Sequence, residues 1–410
     1  MPDAPPTPAT PHLFAALIAL TVVLVLVVAV TPSLERYTQA NMERAMLANL
    51  EESGRVPPLL GQRNQGMMIQ RYACAQKDVL PVFGSSELSE PVPNRAGDFF
   101  RNRPTGFQVC PIGKAGSTCL MIAQKLGALG EQVRGKKIVV IVSFAWFRHN
   151  TIEADNYAGN FSPLQASEML LNDDLGVGLR KRLAERMEEF PDTLKSRPLL
   201  AASVNSVGRE AWWTRLQHSF LKPVLAADVR TLSWMDNLAT ACALMEAEDR
   251  PPKFSAAKVP VEWAQLIADE EKKMPANDGG KHNLPEPDEP DSKDFMARID
   301  SAREWQDFAL LLDTLDALKC EPLIFSMPQA GVWDDNHGVS RAARDVFYKR
   351  VEEMCAAHHY PCSTFSDHDL DTAFIIGRSS HLTEKGWVYV NRLLDDFYHD
   401  RLPPAKPSGA

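Results

Sequence analysis

Residues 79–90, VLPVFGSSELSE, decide how this chain is read. An apolar run ends on Gly84, two serines follow at once, and Pro91 and Pro93 halt whatever begins there. The run reads as a buried strand, and small hydroxyls at its exit do one of two things: they start a helix, or they expose a nucleophile at a sharp turn. A reciprocal capping box needs Glu or Gln three residues after the capping serine. Leu88 and Ser89 stand there instead, so plain capping is the competing reading.

Working outward, short apolar runs alternate with helical patterns. STCLMIAQKLGALG (117–130) reads as a helix and KKIVVIVSF (136–144), rich in β-branched residues, as a buried strand. Strand, helix, strand in this rhythm predicts an α/β fold with a parallel sheet and right-handed crossovers. Residues from 162 to about 280 carry mostly helical patterns and read as a helical insertion. MPANDGGKHNLPEPDEPDSKD (274–294) is rich in proline and acid and reads as a loop that buries little. The sheet pattern then resumes: a helix at 301–320, a strand in EPLIFSMP (321–328), a helix at 339–359, a last short strand in YPCSTFS, and a closing helix in LTEKGWVYVNRLLDDFYHD (382–400) with Thr383 as its cap.

The N-terminus carries a different signal. Residues 13–30, LFAALIALTVVLVLVVAV, are uncharged, with Thr21 the one polar residue. At about 1.5 Å per residue this run spans roughly 27 Å, near the thickness of a bilayer's hydrocarbon core. A cleaved signal peptide is the rival. It would want basic residues in front and a shorter apolar run, whereas residues 1–12 hold no Lys or Arg. The expected organisation is therefore a tail (1–12), a transmembrane helix (13–31), a membrane-proximal helix and linker (32–66), the α/β domain (67–403) and a short tail (404–410). Arg36 and Arg44 follow the span but alternate with Glu35, Glu43 and Glu51, so the flanking charges leave orientation open.

The chain of 410 residues has a net charge of −9 and a pI of about 5.6, which removes the basic field that nucleic-acid binding needs. Seven cysteines form no CxxC, and no HExxH occurs, so neither a metal nor another cofactor is expected. Cys110 with Cys119, and Cys355 with Cys362, lie close enough in sequence to pair in an oxidising compartment, against a bland reading as buried thiols.

A serine at the exit of a parallel strand sits where open α/β sheets bind ligands, but its hydroxyl needs a base. SSHLTEKGW (379–387) supplies one in His381, between the last strand and the last helix. A lone histidine can equally be a half-buried hydrogen-bonding residue.

Gly84-Ser85-Ser86-Glu87-Leu88 near the front, with His381-Leu382 and Lys385-Gly386-Trp387 at the end, resembles the DltD family. SFAWF (143–147), NFSPLQ (160–165), SAREWQDFALLLDTL (301–315) and MPQAGVWDDNHG (327–338) resemble further stretches of that family, in order along the chain. The resemblance implies an SGNH-hydrolase-like core on a membrane anchor, acting outside the cytoplasmic membrane in D-alanylation of teichoic acids. It implies Ser86 as nucleophile, with Ser85 as fallback, His381 as base, and an oxyanion hole from the N–H groups of Ser86 and Gly116. Trp146 and Phe147 would shape a substrate pocket, unless they are core aromatics. The partners implied are a cell-envelope polymer or glycolipid acceptor, an acyl-carrier protein and a multi-spanning O-acyltransferase. The usual SGNH asparagine has no counterpart after KKIVVIVSF.

One departure stands out. The family places an Asp three residues before the histidine, and here that residue is Arg378. A backbone carbonyl could orient His381, Asp369 or Asp371 could reach in, or the chain could be a non-catalytic scaffold that positions a carrier protein or acyltransferase. Arg378 could bind an anionic substrate or lie idle on the surface.

Overall fold

In the strand Lys137–Val142, successive side chains must point to opposite faces of a sheet. Ile138, Val140 and Val142 enter one apolar core and Val139 and Ile141 a second, so both faces are covered. That double burial is why the strand reads as a continuous β-branched run. The computed structural model describes residues 10–47, 66–148, 152–209, 212–246, 258–276, 290–377 and 381–402.

Five strands, β1 (Val79–Gly84), β2 (Gln108–Gly113), β3 (Lys137–Val142), β4 (Glu321–Ser326) and β5 (Cys362–Ser363), form one parallel sheet in the order β2-β1-β3-β4-β5. The chain reverses its direction of travel between β1 and β3. Open α/β sheets place their ligand crevice at such a switch point, outside the carboxyl ends of the strands.

The helices are α1 (Thr10–Ala40), α2 (Met42–Leu47), α3 (Met67–Ala75), α4 (Ala96–Asn102) and α5 (Cys119–Leu129) before β3. Between β3 and β4 lie α6 (Ala154–Asn160), α7 (Pro163–Leu171), α8 (Gly176–Glu188), α9 (Pro191–Lys195), α10 (Pro198–Ser206), α11 (Trp212–Glu246), α12 (Trp263–Lys273), α13 (Pro290–Ser301) and α14 (Glu304–Leu318). After β4 come α15 (Gly331–Asp335), α16 (Arg341–Ala357) and α17 (Glu384–Tyr398). Helices α3, α5, α7, α11, α14 and α16 build the larger core, and α4 and α17 the smaller.

The long β3–β4 connection therefore wraps both faces. Its α12 crosses to the second face, where Trp263 stacks on Phe99 at 5.4 Å and donates from Nε1 to Asp395. The acidic stretch differs from expectation at one end: α13 begins at Pro290, inside the segment read as loop, while residues 277–289 lie outside the described residues. Helical periodicity from Phe295 and Ile299, both buried, outweighs the acidic composition there.

At the N-terminus, α1 runs on through Pro32 to Ala40 rather than ending near residue 31. Its Leu13, Phe14, Leu17, Ile18, Leu20, Val22 and Val25 are exposed, while Thr38 is buried and Trp234 of α11 donates to Thr31 at 2.9 Å. Among the described residues, no helix is long and apolar enough to cross a membrane; several side chains within residues 23–28 fall outside the description. All seven cysteines are free thiols, the bland reading of the sequence, and neither candidate pair forms a disulfide.

Candidate active site

The turn after β1 is built by two glycines and a carboxylate. Gly84 and Gly113 are register partners at the ends of β1 and β2, and a Cβ on Gly113 would stand 2.6 Å from the Gly84 carbonyl oxygen. A Cβ on Gly84 would collide with Glu87, whose side chain folds back under the turn and accepts from the Ser85 N–H at 2.6 Å. Glu87 is buried, its second oxygen has no hydrogen-bond partner among the described residues, and desolvation raises its pKa to about 7. The helix start proposed for the serines is real but short, a single 3-10 turn at Ser86–Leu88 with no side-chain cap.

The two serines separate cleanly. Ser85 is buried and donates from Oγ to the Lys114 carbonyl at 3.2 Å, tying the turn to the β2 exit. Ser86 points the other way, and its Oγ lies 2.8 Å from Nε2 of His381.

His381 arrives on a short hairpin in which Ile375 bridges Leu382 and the Ile376 N–H donates to the His381 carbonyl at 2.8 Å. Thr383 locks that hairpin to α17: its Oγ1 accepts from the Gly386 N–H at 3.2 Å and donates to the Ala373 carbonyl at 2.5 Å. Arg378 falls outside the described residues.

Neither aspartate put forward to orient the ring does so. Asp369 is buried in an ion-pair cluster, where both of its oxygens meet Arg344 and one accepts from the Tyr348 hydroxyl at 2.9 Å. Asp335 joins Arg344 at 2.7 Å, and the two carboxylates hold the arginine's pKa above its usual value. Asp371 pairs with Lys385 at 2.6 Å. The carboxylate beside His381 is Glu90, with Oε2 at 3.2 Å from Nδ1. Sequence reading missed it by looking beside the histidine. The available signal was an acid four residues after the nucleophile in the same tight turn.

Gly116 sits in the loop after β2 with φ +82°, a conformation that favours glycine. Asn160 holds this loop from α6, donating to the Ala115 carbonyl at 2.9 Å and accepting from Ser117 Oγ at 2.9 Å. With Ser85 bonded to Lys114, the loop lies against the serine turn.

Trp146 packs against the larger core, and Phe147 is fully buried with its ring centre 4.2 Å from that of Trp305. In the 3-10 turn Phe144–Arg148, residues three apart share a face, so Ala145 and Arg148 face outward together. They line a cavity of about 330 Å³ with Phe144, Met327–Ala330, Trp333, Asp334 and Ile375. This cavity opens between the β3 and β4 exits, and Ile375 ties it to the His381 hairpin. Its wall includes Gln329, buried, with Oε1 unpartnered among the described residues, and Asp334, whose pKa burial raises to about 6.

Among the described residues, Asp313, Asp316 and His358 are grouped closely enough to hold a metal. They precede β4 and β5, at the opposite rim of the sheet, and have no part in this site.

Known proteins are similar to this chain over most of its length. A family model described as DltD protein matches residues 58–399. Protein DltD of Bacillus subtilis (strain 168) is 27% identical over 350 residues, covering 82% of this chain and 86% of its own. Protein DltD of Staphylococcus aureus (strain NCTC 8325 / PS 47) is 23% identical over 351 residues, covering 81% and 84%.

Proposed function

The chain belongs to the DltD family, and from that premise we propose that it is a membrane-anchored acyl-transfer protein of the cell envelope, with Ser86 as nucleophile and His381 as base. The observation that carries the proposal is the 2.8 Å contact between Ser86 Oγ and His381 Nε2 at the switch-point rim. The strand order and the position of both residues support an SGNH-hydrolase-like reading.

In the first step Oγ attacks the acyl carbonyl of a donor as its proton passes to Nε2. The carbon–leaving-group bond breaks, and the imidazolium returns the proton to the leaving group. The N–H groups of Ser86 and Gly116 hold the developing oxyanion. A hydroxyl of the acceptor, deprotonated by His381, then attacks the acyl carbonyl, and the imidazolium returns the proton to Ser86 Oγ as the acyl–Oγ bond breaks. By family resemblance the acyl group is D-alanyl and the acceptor a teichoic acid or another cell-envelope polymer or glycolipid. The cavity beside the hairpin, with Arg148, Gln329 and Trp333 on its wall, is suited to a polar chain of this kind.

The apolar run 13–30 of α1 is assigned as the anchor, supported by its length and lack of charge, with the α/β domain on the extracytoplasmic side. A C-terminal reporter active only in the cytoplasm contradicts that side.

The second reading is a scaffold for an acyl-carrier protein or a multi-spanning acyltransferase. One feature favours it: Trp212, Leu216, Phe220 and Val224 are exposed at spacings of four along α11, a stripe with the form of a docking face. The two readings part in cells whose own copy is deleted. On the catalytic reading, Ser86→Ala fails to restore base-labile acyl ester on the envelope polymer, whereas Trp212→Ser/Phe220→Ser retains it. Full restoration by Ser86→Ala, with loss in the α11 variant, establishes the scaffold.

A further inference from the structure

We propose that Glu90 is the positioning carboxylate of the Ser86–His381 pair, taking the place of the aspartate missing at Arg378. The inference rests on the acyl-transfer reading and assigns a residue that the family pattern does not.

A base acting on Ser86 must present the Nε2 lone pair, so the neutral ring must carry its proton on Nδ1. An acceptor at Nδ1 selects that tautomer, fixes the ring plane, and stabilises the imidazolium formed when Nε2 takes the serine proton. Glu90 Oε2, 3.2 Å from Nδ1, is placed to do all three. Both side chains are partly screened, Glu90 at 37% and His381 at 22% relative exposure, so the coupling is weaker than in a buried triad.

The backbone that carries Glu90 is constrained. Ser89 donates through N–H and Oγ to the Ser86 carbonyl at 3.1 and 2.9 Å, and the Val92 N–H donates to the Glu90 carbonyl at 2.9 Å. Pro91 restricts the residue before it to extended conformations, which narrows the positions the carboxylate can take. One short segment thus supplies both nucleophile and acid, and the base comes from the other end of the chain.

Among the described residues, most other ionisable groups on the surrounding elements have partners of their own. Asp371 pairs with Lys385 and His368, Asp369 with Arg344, Arg95 with Asp98 and the Leu88 carbonyl, and Glu87 with the Ser85 N–H. Arg148 and Asp334 face the cavity.

The test is the rate at which a fluorophosphonate labels Ser86 in the purified full chain in detergent, followed from pH 5 to 9. Glu90→Gln, which keeps size and shape, is expected to slow labelling at least tenfold, short of the roughly 10⁴-fold seen for a buried triad aspartate. Its rate-against-pH inflection is expected to move to lower pH, because the imidazolium loses its carboxylate. Glu90→Asp, one methylene shorter, falls between the two in rate and keeps the wild-type inflection more closely. A merely structural role for Glu90 would not move the inflection. Wild-type rate and inflection in Glu90→Gln overturn the inference while Ser86 labelling stands. If Glu90→Gln does not fold, Glu90→Ala with unchanged rate and inflection overturns it equally. Labelling that survives Ser86→Ala overturns the parent reading instead.

Discussion

Ser86 and His381 meet from regions built on different plans. The serine's turn is fixed from beneath by close backbone packing of two glycines and a buried carboxylate, all within the end of the sheet. The histidine's hairpin is held by the Ile375–Leu382 bridge, by backbone bonds from Ile376 to His381 and Thr383 to Phe374, by burial of Ile375 and Leu382 in the smaller core, and by the Thr383 cap that docks it on α17. Both halves are closely packed, but the serine's turn lies within the end of the sheet, whereas the hairpin buries Ile375 and Leu382 and leaves the imidazole itself partly exposed. The difference predicts that damage to the first half registers as lost stability, and damage to the second as a displaced base in a folded protein.

The largest expected effect tests the buried carboxylate. The folded-state pKa of Glu87, about 7, lies above its unfolded value near 4.5, so the neutral acid is the form the fold prefers. Its contribution to stability is fully present below pH 4.5 and is lost as pH rises through 7, on the order of 3 kcal/mol in total. Denaturant titrations of Glu87→Gln against wild type from pH 4 to 8 should show the variant gaining by about that amount across the window. Parallel curves at every pH would remove Glu87 from the account.

Next comes Gly113→Ala. The new methyl would stand 2.6 Å from Gly84 O and 2.9 Å from Leu88 Cδ1, and backbone in a paired strand gives way poorly. A loss of about 1–3 kcal/mol is expected in chemical denaturation, with slower Ser86 labelling as the turn shifts. Thr383→Ala should be the mildest for the fold, about 1 kcal/mol, as a lost helix cap. It should nonetheless slow labelling more per unit of lost stability than Gly113→Ala, because the hairpin carries the base. The reverse ranking would break the comparison.

Much of this was legible in the chain because burial leaves a mark on composition. The uninterrupted β-branched run at 137–142 announces a strand covered on both faces, and the Gly-Ser-Ser exit announces a tight turn. Ser86 and His381 could be paired because each stands at the junction of a strand or hairpin with a helix, where a parallel sheet gathers its loops. Glu90 was only faintly legible, as an acid four residues after the serine. Its partner comes from the far end of the chain, and a half-exposed acid before a proline looks like any loop residue. Which residues of 144–148 line the cavity was not legible either, because a 3-10 turn sets the phase and composition does not. Asp369 was a fair candidate by type, but the demands of a fully buried Arg344 claim it.

Ser86 acts as a nucleophile only if His381 activates it. Peptide mass mapping after fluorophosphonate treatment of the purified chain tests it most directly. A single covalent adduct is expected on Ser86, absent in Ser86→Ala and strongly reduced in His381→Ala. An unlabelled Ser86 in the folded wild-type chain, or equal labelling without the histidine, would contradict it.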